Sequence, residues 1–285
     1  MLHRMTSPQR QNRRIFSSLR LLHRNHLWFS SDTRTSDKLA YYGHLFFASF
    51  RLLWGKKSIF YLGHYFCYDN YATPLNLQIY PNEISRKLLK NLTNAPATVL
   101  DVGGNIGQFA TTLAYFCDIE RIDIFEPNPL LQELLSSNVQ HLGSRANIYA
   151  AGISNSSHNT DTLYFEPGRS AIGSFFRENA GDAELVKNIP VAIVNDIATY
   201  TGHSNYDLIK VDVEGMEIEV IRALSTVRTK YLFIEVSGAI RKRMYTDSEL
   251  FEAINISLGT YTVLYSSGMT RTSLTYEMLL GFDEV

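Results

Sequence analysis

The sequence predicts an α/β fold, with a mostly parallel seven-stranded sheet, helices on both faces and an antiparallel hairpin closing one edge. Three observations carry this. From about residue 60, strand-like and helix-like runs alternate, which calls for a parallel sheet covered on both sides. The stretch "VLDVGGNIGQF", residues 99–109, runs a buried strand into a glycine-rich turn and then into a helical pattern. Two β-prone runs, "TYTVLYS" and "SLTYEMLLGF", follow one another near the end of the sequence and can pair as an antiparallel hairpin at one sheet edge.

The chain has 285 residues, 45% of them hydrophobic, enough for one sizeable core. Its net charge of −1 conceals an asymmetry: residues 1–60 carry eleven Lys/Arg against two Asp/Glu, a net +9, leaving −10 for the remainder. We therefore divide the chain into a basic, partly helical extension (1–60) and a mildly acidic domain (61–285). No uninterrupted apolar segment leads to a small-residue cleavage site, so the start does not read as a secretory signal. Its Arg- and Ser-rich composition also resembles an organelle transit peptide. Within it, Tyr42, Leu45, Phe46, Phe50, Leu53 and Trp54 recur at helical spacing behind Ser36 or Asp37. Such a helix could lie on an anionic membrane surface, cover the domain or make a dimer contact; packing is the commoner use. Arg51, Lys56 and Lys57 interrupt any window long enough to span a membrane. Cys67 and Cys117 do not make a disulfide framework, which favours a reducing compartment and a cytoplasmic location, with peripheral contact at the inner membrane surface as an option.

After the extension, "IFYLGHYFCYDNY" is β-prone and a helix is expected from Pro81. Strands are expected near 98–102, 121–125, 146–150, 206–211 and 230–236. Helices are expected near 106–116, 128–139, 216–224 and 247–256. Residues 152–196 break the rhythm, with short strands around Tyr164 and Val191 and a loop "EPGRSAIGSFF".

The glycine corner indicates a nucleotide-like ligand. Gly103, Gly104 and Gly107 let backbone approach a ligand closely, at the carboxyl edge where such sheets bind nucleotides. Glu126 ends the next strand, placed to accept hydrogen bonds from a ribose diol. The dinucleotide pattern G-x-G-x-x-G does not fit, and no phosphate-binding P-loop occurs. Asp101 would repel phosphates but suits a positively charged ligand. S-adenosylmethionine, a sulfonium with an ammonium and no phosphate, meets that requirement.

"VLDVGGNIGQFA", "IDIFEPNPLLQELLSSNV", "YDLIKVDVEGMEIEVIRAL" and "YLFIEVS" together resemble the FkbM-type methyltransferases over roughly residues 70–282. The most specific piece is the K-x-D-x-E-G-x-E run. The resemblance implies a class I, Rossmann-like methyltransferase that transfers a methyl group from S-adenosylmethionine to hydroxyls of sugars and related metabolites. It also implies that Asp101, Gly103, Gly104, Asn105 and Gly107 line the methionine end of the cofactor. Glu126 would hold the ribose, and Ala151 and Gly152 would lie where relatives place adenine. Gly104 stands where the family usually has alanine.

A second constellation rests on its own physics. Lys210 and Asp212, two apart on a strand, share a face. Asp212 and Glu214 reach the carboxyl end, on the rim of the glycine turn, and Gly215 permits the turn into a helix bearing Glu217 and Glu219. A carboxylate or lysine there could align a hydroxyl with the methyl group and take its proton. Asp212, Lys210, Glu214 and Glu235 are thus the candidate catalytic residues, with Glu235 also the expected ion-pair partner of Lys210. Glu217 serves equally well as a helix-dipole acid. Asp212, Glu214 and Glu235 are hard oxygen ligands, which leaves room for Mg2+, although no dedicated metal motif is present. His64, His158 and His203 are weaker candidate bases, and Arg169 a candidate anion grip in a lid loop.

The expected partner is a sugar, glycan or glycolipid acceptor; an oligomer is compatible with the sequence, and nucleic acid is not expected of an acidic domain lacking a basic-aromatic face. Two alternatives stay open: a nicotinamide-dependent oxidoreductase, formally suggested by Tyr206-x-x-x-Lys210, and a non-catalytic membrane-surface adaptor.

Overall fold

The computed structural model describes residues 58–61, 64–68, 92, 95–166, 173–180, 186–236, 245–266 and 276–282. The extension's helix, the helix expected from Pro81, the Arg169 loop and the His64 side chain lie outside the described residues.

Two short strands, β1 (Ser58–Tyr61) and β2 (His64–Cys67), pair antiparallel ahead of the main sheet. That sheet uses β3 (Ala97–Val102), β4 (Ile119–Phe125), β5 (Ala146–Tyr149), β9 (Asn205–Val211), β10 (Arg228–Val236), β11 (Tyr261–Ser266) and β12 (Tyr276–Phe282). A smaller sheet holds β6 (Ala151–Ile153), β7 (Thr160–Phe165) and β8 (Lys187–Val194), in the order β6-β8-β7. The helices are α1 (Gln108–Phe116), α2 (Gln132–Val139), α3 (Ile197–Thr201), α4 (Glu217–Ala223) and α5 (Asp247–Leu258).

The main sheet has the order β11-β12-β10-β9-β3-β4-β5. Its strands from β10 to β5 are parallel, and β12 inserts antiparallel between β10 and β11. The expected closing hairpin is therefore present, with β11 outermost. The order reverses between β3 and β9, so their carboxyl ends open a crevice of the kind where doubly wound sheets bind ligands.

Strand alternation divides the core in two. Val99, Ile122, Ile124, Leu208 and Phe233 face α1 and α2, packing on Phe109, Leu113, Leu135 and Val139. Leu100, Val102, Ile209, Val211, Leu232 and Ile234 face the other way, onto Ile218, Ile221, Leu250 and Ile254 of α4 and α5. Each such fully buried aliphatic side chain contributes about 1.5–3 kcal/mol relative to exposure. Asp101 and Lys210 fall on the α1 side, beside Val99 and Leu208, so the polar site is cut into the end of an apolar face.

Two helices begin later than the sequence spacing indicates. The α1 helix starts at Gln108 because Gly107, at φ 81°, forms a left-handed N-cap. The α2 helix starts at Gln132 because Pro127 and Pro129 bracket a turn in which Asn128 Oδ1 accepts from Leu130 N.

Candidate functional site

The parallel register places Asp101 of β3 directly opposite Lys210 of β9. Both are buried, and Lys210 Nζ lies 3.1 Å from Asp101 Oδ1 and 3.6 Å from Asp212 Oδ2. The same ammonium donates to the Gly103 carbonyl at 2.7 Å and to that of Val102 at 3.4 Å. It also stands 5.8 Å from the centre of the Phe109 ring. Burial works against the charge on Lys210, but the attraction of Asp101 and then Asp212 outweighs it and raises its pKa. A lysine held so firmly protonated is a brace for the turn rather than a base.

The expected ion pair between Lys210 and Glu235 is corrected by this geometry. Phe233, not Glu235, is the β10 residue opposite Lys210. Glu235 sits two residues further on, about 6–7 Å along the strand, and its charge raises the Lys210 pKa less than those of Asp101 and Asp212 do.

The turn itself is fixed by close approach. A Cβ on Gly103, at φ 81°, would fall 1.9 Å from the Asp212 carbonyl oxygen. One on Gly104 would fall 2.2 Å from Ile124 Cγ2, and one on Gly107 2.9 Å from Val139 Cγ1. Gly103 N and Gly104 N both donate to the Phe125 carbonyl at 3.0 Å, tying the turn to the end of β4. Asn105 N donates to Glu126 Oε2 and Asn128 N to Glu126 Oε1, each at 2.8 Å. Burial pushes the Glu126 carboxyl up to about 7, with those two amides and Lys210 pulling the other way.

Asp101 is the driest group of the set. It is fully buried, and its polar contact among the described residues is the Lys210 ammonium, 3.1 Å from Oδ1. Burial pushes its pKa up and the Lys210 charge opposes that. The carboxylates of Asp101 and Asp212 thus flank a single ammonium, whose charge also reaches Glu126. The rim has room for further positive charge and for donors aimed at Asp101.

At the tip of β9, Asp212 N donates to the Val102 carbonyl at 3.1 Å, and the Asp212 side chain is 23% exposed, the accessible end of an otherwise buried row. Glu214 follows in a left-handed conformation, φ 53°. It and Asn105, φ 50°, are the non-glycine residues with positive φ among those described, one on each of the two turns that meet here. Three groups hold the Glu214 turn. Ser174 Oγ donates to the Glu214 carbonyl at 2.9 Å, Glu217 Oε1 accepts from Gly215 N at 3.1 Å, and the Tyr245 hydroxyl donates to Glu217 Oε2. Glu217 is therefore more than a dipole acid: it is buried and clamps its own helix entry.

The remaining candidates are less central. Ala151 and Gly152 are buried in β6, and the open face of Gly152 is filled by the Phe175 ring, 2.8 Å from where a Cβ would stand. His158 is exposed on the loop before β7. His203 precedes β9, at the amino end of the strand, edge-on to Tyr206 with ring centres 4.9 Å apart. Among the described residues no group of three or more His, Cys, Asp and Glu side chains is gathered for a metal ion. No described helix is long and apolar enough to cross a membrane.

The Tyr206–Lys210 pair suggested by sequence is not a unit. The Tyr206 hydroxyl donates to Asp123 Oδ2 at 2.8 Å, while Lys210 reaches Asp101. Asp123 is a buried hub that sequence reasoning missed, also held by both contacts of Arg121 Nε, at 3.1 and 2.9 Å, and by Asn147 Nδ2 at 2.9 Å. The signal was an acid inside "RIDIF" with an arginine two residues earlier on the same face.

The profile of a family described as "Methyltransferase FkbM domain" matches residues 101–258, the stretch that contains every residue of this site named above. No curated protein matches the sequence. Solved structures resembling the chain include a precorrin-6y C5,15-methyltransferase from Geobacter metallireducens GS-15, 11% identical, covering 70% of this chain and 89% of that one, TM-score 0.41. Another is an rRNA methylase from Streptococcus thermophilus, 12% identical, covering 69% and 92%, TM-score 0.43. A third, a putative SAM-dependent methyltransferase from Streptococcus mutans, is 12% identical with 71% of this chain and 48% of that one covered, TM-score 0.42, so this chain spans about half its length.

Proposed function

Since the chain belongs to the FkbM methyltransferase family, and so uses S-adenosylmethionine as methyl donor, we propose that it methylates a hydroxyl group of a sugar, glycan, glycolipid or related metabolite. The observation that carries this reading is the placement of Asp212. Its side chain is the exposed end of the Asp101–Lys210–Asp212 row, and its backbone touches the cofactor turn at Gly103.

The residues present fit the cofactor. Asp101, whose Oδ1 is held by Lys210 and whose Oδ2 is buried without a hydrogen-bond partner among the described residues, suits an ammonium. Gly103 and Gly104 leave backbone open where any side chain would collide. Glu126 keeps lone pairs beyond those used by Asn105 N and Asn128 N, and these suit a ribose diol. The bound cofactor supplies an electrophilic sulfonium methyl. The chain supplies the rest: the glycine turn and Asp101 orient the donor, Lys210 holds the turn and Asp101 together, and Asp212 orients the acceptor hydroxyl and receives its proton. Glu214, whose backbone is clamped by Ser174, frames the acceptor side. Alignment of the two partners supplies most of the rate, with the carboxylate adding about a hundredfold to ten-thousandfold.

The basic residues ahead of the domain support a reversible contact with anionic lipid, which would bring the enzyme to a lipid-linked glycan. The test of the acceptor class is transfer of tritium from labelled S-adenosylmethionine into fractionated cellular glycans and lipids, followed by hydrolysis to locate the methyl. Label recovered as an O-methyl sugar supports the reading; label confined to RNA or to protein overturns it.

A further inference from the structure

The strongest unassigned polar group near the cofactor turn is Asn138. It lies at the end of α2, is 2% exposed, and has no part in the chemistry described above. Its side chain nonetheless uses both donor protons and its carbonyl oxygen to join α2 to two other segments of the chain. Oδ1 accepts from Cys67 N at 2.6 Å, Nδ2 donates to the Cys67 carbonyl at 2.9 Å, and the second Nδ2 proton goes to the Ile106 carbonyl at 2.7 Å. The amide thus pairs with the Cys67 backbone as a neighbouring strand would, and with its remaining donor holds the glycine turn.

Ile106 sits between Asn105, whose N–H is on Glu126, and Gly107, whose missing Cβ leaves α2 room to pack. Cys67 ends β2, flanked by Phe66 and Tyr68, both 1% exposed. A buried amide with two donors and one acceptor satisfied by backbone has one stable arrangement, since turning it over would set N–H against N–H. A shift of the hairpin therefore moves, or breaks with, the turn.

We propose that Asn138 is a positioning residue that couples the hairpin 58–67 to the cofactor turn, so that cofactor affinity depends on how the hairpin is seated and the hairpin tightens when cofactor binds. This rests on the reading that the glycine turn holds S-adenosylmethionine. The coupling is reciprocal because it is a free energy shared by two sites.

The test uses the full chain with S-adenosylhomocysteine as probe. Calorimetry gives its affinity, and hydrogen exchange is followed at residues 64–68 and 105–107 with and without the probe, well below the melting temperature. In the native chain the probe slows exchange in both segments. Asn138→Ala weakens affinity about fivefold to tenfold, at the lower end of typical coupling, and abolishes the protection at 64–68 while leaving protection at 105–107. Asn138→Asp keeps the acceptor for Cys67 N but loses both donors, and weakens binding at least as much. Native binding that protects 105–107 but not 64–68 overturns this inference alone. So does an Asn138→Ala chain that melts earlier yet binds with native affinity, which marks a purely structural amide. If the native chain binds no probe at all, the cofactor reading fails and this inference with it. The native measurement stands even where neither variant folds.

Discussion

Lys210 Nζ lies 3.1 Å from Asp101 Oδ1, across a parallel strand pair that sets the two residues in direct register. A lysine and an aspartate in neighbouring buried strands each cost several kcal/mol in desolvation. Here the pair is kept where it locks the cofactor turn through the Gly103 carbonyl. Removing one partner leaves an uncompensated charge. Lys210→Met should destabilise the protein by about 3–5 kcal/mol at neutral pH. The loss should shrink as pH falls and Asp101 takes up a proton. Urea melts of the native and variant chains at pH 5 and pH 8 measure both; a loss independent of pH would mean that Asp101 is not the stranded charge.

Glu126 predicts a second pH dependence. Its carboxyl is pushed up to about 7 from 4.5. A raised acid favours the folded state most when protonated, so its contribution is fully present below about 4.5 and is lost as pH rises to about 7. For this buried group the span is of order 3 kcal/mol. Ribose hydroxyls donate to the ionised form, so binding of S-adenosylhomocysteine should weaken below pH 7 and release a proton there. Calorimetry at pH 6 in buffers of different ionisation enthalpy detects that proton. Its absence, or an unchanged affinity in a folded Glu126→Gln chain, would count against the ribose role.

Much of the fold was legible because it depends on period and punctuation. The strands of the main sheet and four of the helices follow from alternating apolar runs and the glycine and proline turns between them. The glycine turn was legible for the same reason: Gly103 stands where a side chain would meet the Asp212 carbonyl, so the residue type itself reports the close approach. What was not legible is register. The sequence places Lys210, Asp101 and Glu235 on three strands but does not say which faces which, and Glu235 was the wrong choice. Long-range side-chain bonds were equally hidden. Asn138, Ser174 and Tyr245 carry no local signal of their roles, which come from partners 28 to 71 residues away.

Gly104 gives a packing prediction. The space for a methyl there is taken by Ile124 Cγ2, 2.2 Å from where a Cβ would stand. Gly104→Ala should cost about 1–3 kcal/mol by overpacking. Ile124→Ala should cost about 2–5 kcal/mol by leaving a cavity. The double variant should be more stable than the sum of the two losses implies, because the new methyl fills part of that cavity. Thermal melts of the four chains form the cycle, and strict additivity would refute the collision.

The basic extension calls for a measurement of its own. If residues 1–60, with their net +9, hold the enzyme on anionic lipid, then flotation should occur with phosphatidylserine vesicles and not with neutral ones. It should also fade above about 0.1 M salt, where screening acts over about 10 Å. Equal flotation with both vesicle types, or none with either, removes the electrostatic reading.

Asp212 carries the chemical prediction. Its backbone is pinned to the turn through Val102, its side chain reaches solvent at 23% exposure, and Lys210 stands 3.6 Å behind it. That arrangement sets a carboxylate at the mouth of a buried charge row, where it can take a proton from a hydroxyl aligned with the methyl donor. Asp212→Asn preserves shape and removes the negative charge. Once the tritium assay has identified an acceptor, the variant should turn over about a hundredfold to ten-thousandfold more slowly. Its affinity for S-adenosylhomocysteine should change far less, since Asp101 and Glu126 are intact. The residual rate should rise with pH, because without the base the hydroxyl must lose its proton to water. A folded variant that binds the probe and methylates at the native rate would show that Asp212 only frames the site. Loss of cofactor binding alongside activity would instead assign Asp212 to the cofactor side of the crevice.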